Sequence, residues 1–547
     1  MKDNRKKTKI SFIFALSVLG AAFVMLLVLN IFWGEHWLDS DMAAEMIFSK
    51  LIAEEGGLFT TKNWYYSTEF RLLYTQLFMV PLFHIFEDWH VIRTITNILT
   101  YLLMLGSYYY FMKPLKVDKT LVVGTSVILL LPFSETFVTH MQMGNTYMPH
   151  VIIIFFCAGM FLRLTSQNAL LEKKNGVLLL GYLLINVICG MSGVRYMLAL
   201  QVPLVLTAVY YMFRSEEFTR LREEWSQQQL KKAFSGKVLL YLIYSMLGAF
   251  GALVGYVINV SVIAKNYPFQ TYEVTNFIKV FQGVLLERIQ DTVGNLLMLF
   301  GYIEEKGFLS LRGLISLIAF ALLLGIVILV RKTGKLLQGE KDVTGELSDR
   351  RFWEYFFVMA FVLNTFVFLF TTSTIVSRYY ITVFMFVLPL LCFYLEIERS
   401  KVDRILVFLF LCACLGLSTL KCVYSFVDKD KNEEEKKVVV FLQEKQYPFG
   451  FATYWNANIM TELSDGYVEV ANITDFKDMK YFRWSSPRKY YEDGYYQGKA
   501  FLLLTKEQWE QNVAIPLLSK GRMVYEDDVY VVLHYDSVDK IQENIMK

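Results

Sequence analysis

Apolar residues in this chain come in runs of about 17–25, the length a helix needs to cross a hydrocarbon layer roughly 30 Å thick. Lipid offers a backbone no water to bond, so such runs must satisfy their N–H and C=O groups internally, as helices. The runs fall at 9–33, 91–112, 119–133, 148–164, 176–190, 196–213, 238–263, 308–331, 353–372, 379–397 and 404–427. They predict a mainly α fold, a polytopic membrane helix bundle of about eleven transmembrane helices. Composition agrees. Of 547 residues 55% are hydrophobic and 19% charged, too little charge for soluble domains of this total length.

Lys2, Arg5, Lys6, Lys7 and Lys9 precede the first run. That run is too long for a signal peptide core of about 7–15 residues, and no small-residue cleavage site follows, so it reads as an uncleaved first span. Residues 70–86 are the ambiguous segment. Counting them as a span would put the basic turn 113–119 on the same side as the acidic loop after the first span. They are therefore expected to lie in the outer interface. With that choice, segments 1–9, 113–119, 163–175, 213–237, 331–352 and 396–404 hold 26 Lys or Arg, and the opposite loops hold 9. By the positive-inside rule the basic side is cytoplasmic. The N-terminus is expected in the cytoplasm of a multi-pass cell-membrane protein. Residues 34–90, 134–147, 191–195, 264–307, 373–378 and everything beyond about 428 are expected outside.

Past residue 427 the pattern changes. The charged run Asp428–Lys437 reads as a linker, and β-type runs from Phe449, Tyr467, Ala500 and Val529 alternate with helix-like stretches. The sequence thus divides into a membrane domain, 1–427, and a small C-terminal extracytoplasmic α/β domain, 428–547. The six cysteines lie in or beside apolar spans and read as small packers. A net charge of +3 and the lack of a basic, aromatic-interleaved soluble stretch argue against nucleic acid as a partner. Neither a Walker-type phosphate loop nor a GxSxG elbow is present, against an ATP-driven pump or a serine hydrolase.

The first outer loop, 34–90, carries the densest chemistry. Asp39 and Asp41 stand just beyond the first span, and Asp41 to about Glu55 reads as an amphipathic helix stopped by Gly56-Gly57. Glu45 lies one turn along from Asp41 on the same face. Carboxylates gathered there suit a general base or a divalent cation, whereas acids at a helix start also serve as caps. Arg195-Tyr196 and Arg378-Tyr379 stand at the outer mouths of two spans. There an arginine suits a lipid phosphate, and Arg and Tyr also suit plain interfacial anchoring. The histidines show no metal-ligand spacing on one helix. Tyr454 and Trp455 in the C-terminal domain suit either stacking on a sugar or core packing.

A basic inner tail, one span, then an outer loop opening on acids and a helix resembles the GT-C superfamily of membrane glycosyltransferases. Protein mannosyltransferases and lipid A aminoarabinose transferases are nearest in layout. The resemblance implies transfer of a sugar from a polyprenyl-phosphate donor to an outer-face acceptor, which is a glycan, a lipid or a protein. Asp41 falls where that family keeps the acid that activates or positions the acceptor, with Asp39 assisting. Met42 replaces the usual second acid, so a metal requirement is left open and Glu45 is an alternative helper. Glu135 matches the family's second outer loop, and Arg378-Tyr379 its late Arg-Tyr pattern, with Arg378 and Arg195 as donor-phosphate ligands. Two other classes stay open: a transporter or flippase of lipid-linked saccharide, and a non-catalytic membrane assembly protein. Ionisable residues are scarce within the spans, which favours an interfacial enzyme over a transporter.

Overall fold

A computed structural model describes residues 2–166, 175–223, 236–269, 276–278, 284–302, 311–338 and 348–545. Among them eight helices are long and apolar enough to cross a membrane, nine if one bent pair counts as a single span. The chain is a polytopic membrane helix bundle carrying a small C-terminal α/β unit. Helix covers the greater part of every expected run, but three of the eleven fall short of a plain span. Helix α4 (Trp89–Met112) is long enough but carries Arg93 and Asn97. The helix Gly176–Met191 has only 16 residues. Lys119–Leu130 is shorter still, and turns by 95° into Glu135–Met143. Parts of the basic segments 163–175, 213–237 and 331–352, of the outer loop 264–307 and of the run 308–331 lie outside the described residues.

Helix α1 (Lys2–Trp33) leads through a 3-10 turn into α2 (Ser40–Glu54). Asp39 caps α2 by accepting a bond from the Met42 N–H at 2.8 Å. Gly56, at φ +68°, follows the helix end, where a residue without Cβ is least strained. Helix α3 (Gln76–Phe83) is all that forms within 70–86, and its eight residues are too short to cross a bilayer. Polar groups tie the bundle together where lipid cannot reach. Asn97 donates to Asn30, Asn30 to Tyr101, and Asn145 to Asn97 and Thr100. Asn145 takes a left-handed φ of 55°, which a short amide tolerates better than most residues. Helices Gly176–Met191 and Gly236–Ile258 cross with Gly190 against the Ala252 carbonyl and Gly255 against the Val187 carbonyl. Small residues permit such close backbone approach in membranes.

The C-terminal unit is a five-stranded sheet in the order β3-β2-β5-β7-β6, with β2 Phe449–Thr453, β3 Glu469–Ile473, β5 Ala500–Thr505, β6 Arg522–Glu526 and β7 Tyr530–Tyr535. β3, β2 and β5 run parallel, while β7 and β6 pair antiparallel beyond them. The parallel strands are buried almost throughout, as their continuous apolar runs require. The expected linker is partly helical, because Glu433–Glu435 form the first turn of the helix Glu433–Glu444, where the helix dipole favours acids.

This unit is stitched to the first loop. Strand β1 (Trp64–Tyr65) pairs antiparallel with β4 (Ser486–Pro487). Leu38 and Met42 share an apolar cluster with Val438, Leu442 and Met460. The Ser40 hydroxyl donates to the Tyr454 carbonyl at 2.5 Å, and the Asp465 carboxylate accepts from the Trp89 N–H at 2.8 Å.

Candidate functional site

Where α2 starts, three elements distant in sequence meet. The Asp41 carboxylate accepts a 2.7 Å bond from the Tyr454 hydroxyl on one oxygen, and its other oxygen faces the Arg378 guanidinium at 3.8 Å. Both side chains of that pair are 30% exposed, whereas Tyr454 is buried at 8%. Arg378 comes from the 3-10 turn Ser377–Tyr380 at the head of its span. Among the described residues it reaches no acid more closely than Asp41.

The other acids and arginines close a ring with this pair. Glu45, one turn along α2, pairs with Arg71. Arg71 also donates to Glu69 at 3.1 Å, and Glu69 takes the Arg195 guanidinium as well. Arg195 lies over the rings of Tyr147 at 4.6 Å and Tyr379 at 5.4 Å, and Arg378 lies 6.0 Å from the same Tyr379 ring. Arg195 is thus engaged by an acid and two aromatic faces, and Arg378 is the more exposed cation. One Arg195 nitrogen, Nη1, is buried with no hydrogen-bond partner.

The electrostatics follow from this packing. Burial and the neighbouring Asp41 charge raise the Asp39 carboxyl to about 6, against the Met42 N–H, Arg93 and Arg378. Burial raises Glu45 too, with Arg71 opposing. Burial pushes Glu69 upward, but Arg195, Arg71 and His150 outweigh it and hold the carboxyl at about 2. Glu69 is therefore a fixed anion between two guanidiniums, whereas burial moves Asp39 toward mild pH.

Of the residues singled out from sequence, Asp41, Asp39, Glu45, Arg195, Arg378 and Tyr379 gather at one place. Glu135 points elsewhere, with its exposed carboxylate on the Lys431 ammonium. Tyr454 packs inward against Asp41, whereas Trp455 is exposed. No group of three His, Cys, Asp or Glu converges as metal ligands among the described residues. Sequence reasoning missed two elements. Glu69 holds both Arg71, two residues along, and Arg195, 126 residues away. Arg93, a charge inside an expected span, binds Glu462 bidentately at 2.6 and 2.7 Å. A lone arginine in an apolar run is itself a signal of a buried partner.

An apolar cavity of about 410 Å³ is lined by residues that include Phe133, Phe137, Phe300, Phe384, Lys332 and Tyr394, and none of the ring residues lines it. The Thr136 and Ser377 hydroxyls, 3.2 Å apart, tie the segment bearing Phe137 to the turn bearing Arg378.

No protein-family model matches the chain, and no curated protein matches it. Two solved structures follow a similar course. ArnT from Cupriavidus metallidurans bound to undecaprenyl phosphate is 13% identical, with 95% of this chain and 97% of that chain covered at a TM-score of 0.40. The apo state of ArnT from Cupriavidus metallidurans is 12% identical, with 97% and 100% covered at a TM-score of 0.38.

Proposed function

We propose that this chain is a membrane glycosyltransferase that moves a sugar from a polyprenyl-phosphate donor to an acceptor hydroxyl or amine on the face opposite its basic loops. The observation that carries the reading is the Asp41–Arg378 pair, a carboxylate and a guanidinium 3.8 Å apart and each 30% exposed. Asp41 takes the proton of the acceptor as its oxygen or nitrogen bonds to the sugar C1. The C1–O bond to phosphate breaks, and the leaving phosphate keeps the electron pair. Arg378 offers a two-pronged donor to the charge that grows on that phosphate, where it stabilises the transition state more than the ground state. Arg195, held by Glu69, adds positive potential and orients Tyr379. Asp39 fixes the start of α2 and hence the place of Asp41. The cavity suits the isoprenoid tail, because nearly all its lining is apolar.

The test is Asp41→Asn, in membranes supplied with a panel of labelled polyprenyl-phosphate sugars. The substitution keeps size and the bond from Tyr454 but removes the base, so turnover should fall by about 10²–10⁴-fold with donor binding intact. Transfer at the wild-type rate would refute the assignment.

A further inference from the structure

Asp41 has two neighbours competing for it, a phenol and a guanidinium. The Tyr454 hydroxyl holds one oxygen at 2.7 Å, while Arg378 stands off at 3.8 Å, beyond hydrogen-bonding distance. The two charges, each 30% exposed, are within ion-pair reach but do not form the forked, hydrogen-bonded pair that a guanidinium and a carboxylate can make. Tyr454 belongs to the C-terminal unit and is fixed from three directions. Its carbonyl accepts from Ser40, its ring packs edge-on against Phe482 at 5.9 Å, and it opens the helix Tyr454–Leu463 that carries Glu462 to Arg93. The phenol is therefore not free to follow the carboxylate toward the arginine.

We infer that Tyr454 is a positioning residue that restrains Asp41 from pairing with Arg378 and so keeps the guanidinium open to an anionic lipid phosphate. The inference rests on the function proposed above and adds a role for the C-terminal unit: it sets the availability of the phosphate ligand in the membrane domain. Without the phenol, Asp41 turns onto Arg378, and an incoming phosphate must displace it.

The experiment measures undecaprenyl phosphate binding to the full chain in lipid nanodiscs. Arg378→Ala comes first. Wild-type affinity in that variant would sink the function proposed above. If Arg378→Ala weakens binding, Tyr454→Phe tests the inference alone. Phenylalanine keeps the ring and its packing. The affinity should fall by about fivefold, the size expected when a partly exposed guanidinium gains one more carboxylate contact. Adding Asp41→Asn to Tyr454→Phe removes the competing charge and should restore binding to the level of Asp41→Asn alone. A purely structural role for Tyr454 would leave the double variant as weak as Tyr454→Phe. That result, or unchanged binding in Tyr454→Phe, would overturn the inference.

Discussion

Removing one partner of the Arg93–Glu462 pair should loosen the C-terminal unit far more than removing both. The two side chains are each 3% exposed, and the guanidinium makes two bonds to the carboxylate and one of 3.0 Å to the Met42 carbonyl. Glu462→Leu strands a guanidinium in a low-dielectric site, where an uncompensated charge costs about 3–5 kcal/mol. The paired replacement Arg93→Met with Glu462→Leu leaves no charge behind, and such swaps are often neutral to within about 1–2 kcal/mol. The assay is urea unfolding of the detergent-solubilised chain, followed by tryptophan fluorescence. Trp89 reports locally, because it packs on Gly466 of the C-terminal unit. Midpoints convert to free energies through the slope of each transition. The cycle should show strong coupling, with the double variant more stable than Glu462→Leu. A loss below about 1 kcal/mol in Glu462→Leu, or a double variant as unstable as the two singles combined, would refute a stabilising pair.

Two further outcomes follow from other parts of the structure. Asp39 is raised from 3.8 to about 6, so between those values the folded chain holds a proton that the unfolded chain has lost. Its contribution to stability therefore falls as pH rises through that window. Asp39→Asn keeps an acceptor for the Met42 N–H and cannot ionise. Thermal midpoints should accordingly show the variant gaining on wild type between pH 4 and pH 6, and parallel profiles would contradict the shift. Gly190→Ala and Gly255→Ala each drive a methyl group into a backbone carbonyl of the facing helix. Each should cost about 1–3 kcal/mol in the same urea titration, the usual range for overpacking, whereas Gly20→Ala, in open space, should be silent.

Much of the fold was legible because membrane solvent imposes a one-dimensional rule. An apolar run of span length becomes a helix whatever its neighbours do. The buried strands were legible for a related reason, since Phe449, Ala500 and Val529 open continuous apolar runs. Strand β6 was missed because Arg522 and Glu526 face outward at the sheet edge and leave no such run. The 95° turn after Leu130 was also missed, because hydropathy reports burial and not direction. At the site, Asp41 and Arg378 were visible as charges at span ends. The partners across the chain were not: Tyr454 to Asp41 and Arg93 to Glu462 meet across hundreds of residues, and no local period records them. Arg195 shows the limit most clearly. It looked like Arg378 in sequence, and only packing distinguishes the arginine that Glu69 occupies from the one that faces Asp41.

The bond from Tyr454 to Asp41 joins residues 413 positions apart. At a synthesis rate of about 5–20 residues per second, Asp41 leaves the ribosome roughly 20–80 s before its partner exists. Throughout that interval α2 has its cap but not its cover, and β1 has no strand to pair with. The site is thus finished last although its first residues are made early. A chain released short of Tyr454 would carry the membrane helices of the described residues and still lack the assembled pair of carboxylate and phenol, so the completed site is itself a record that translation passed Tyr454.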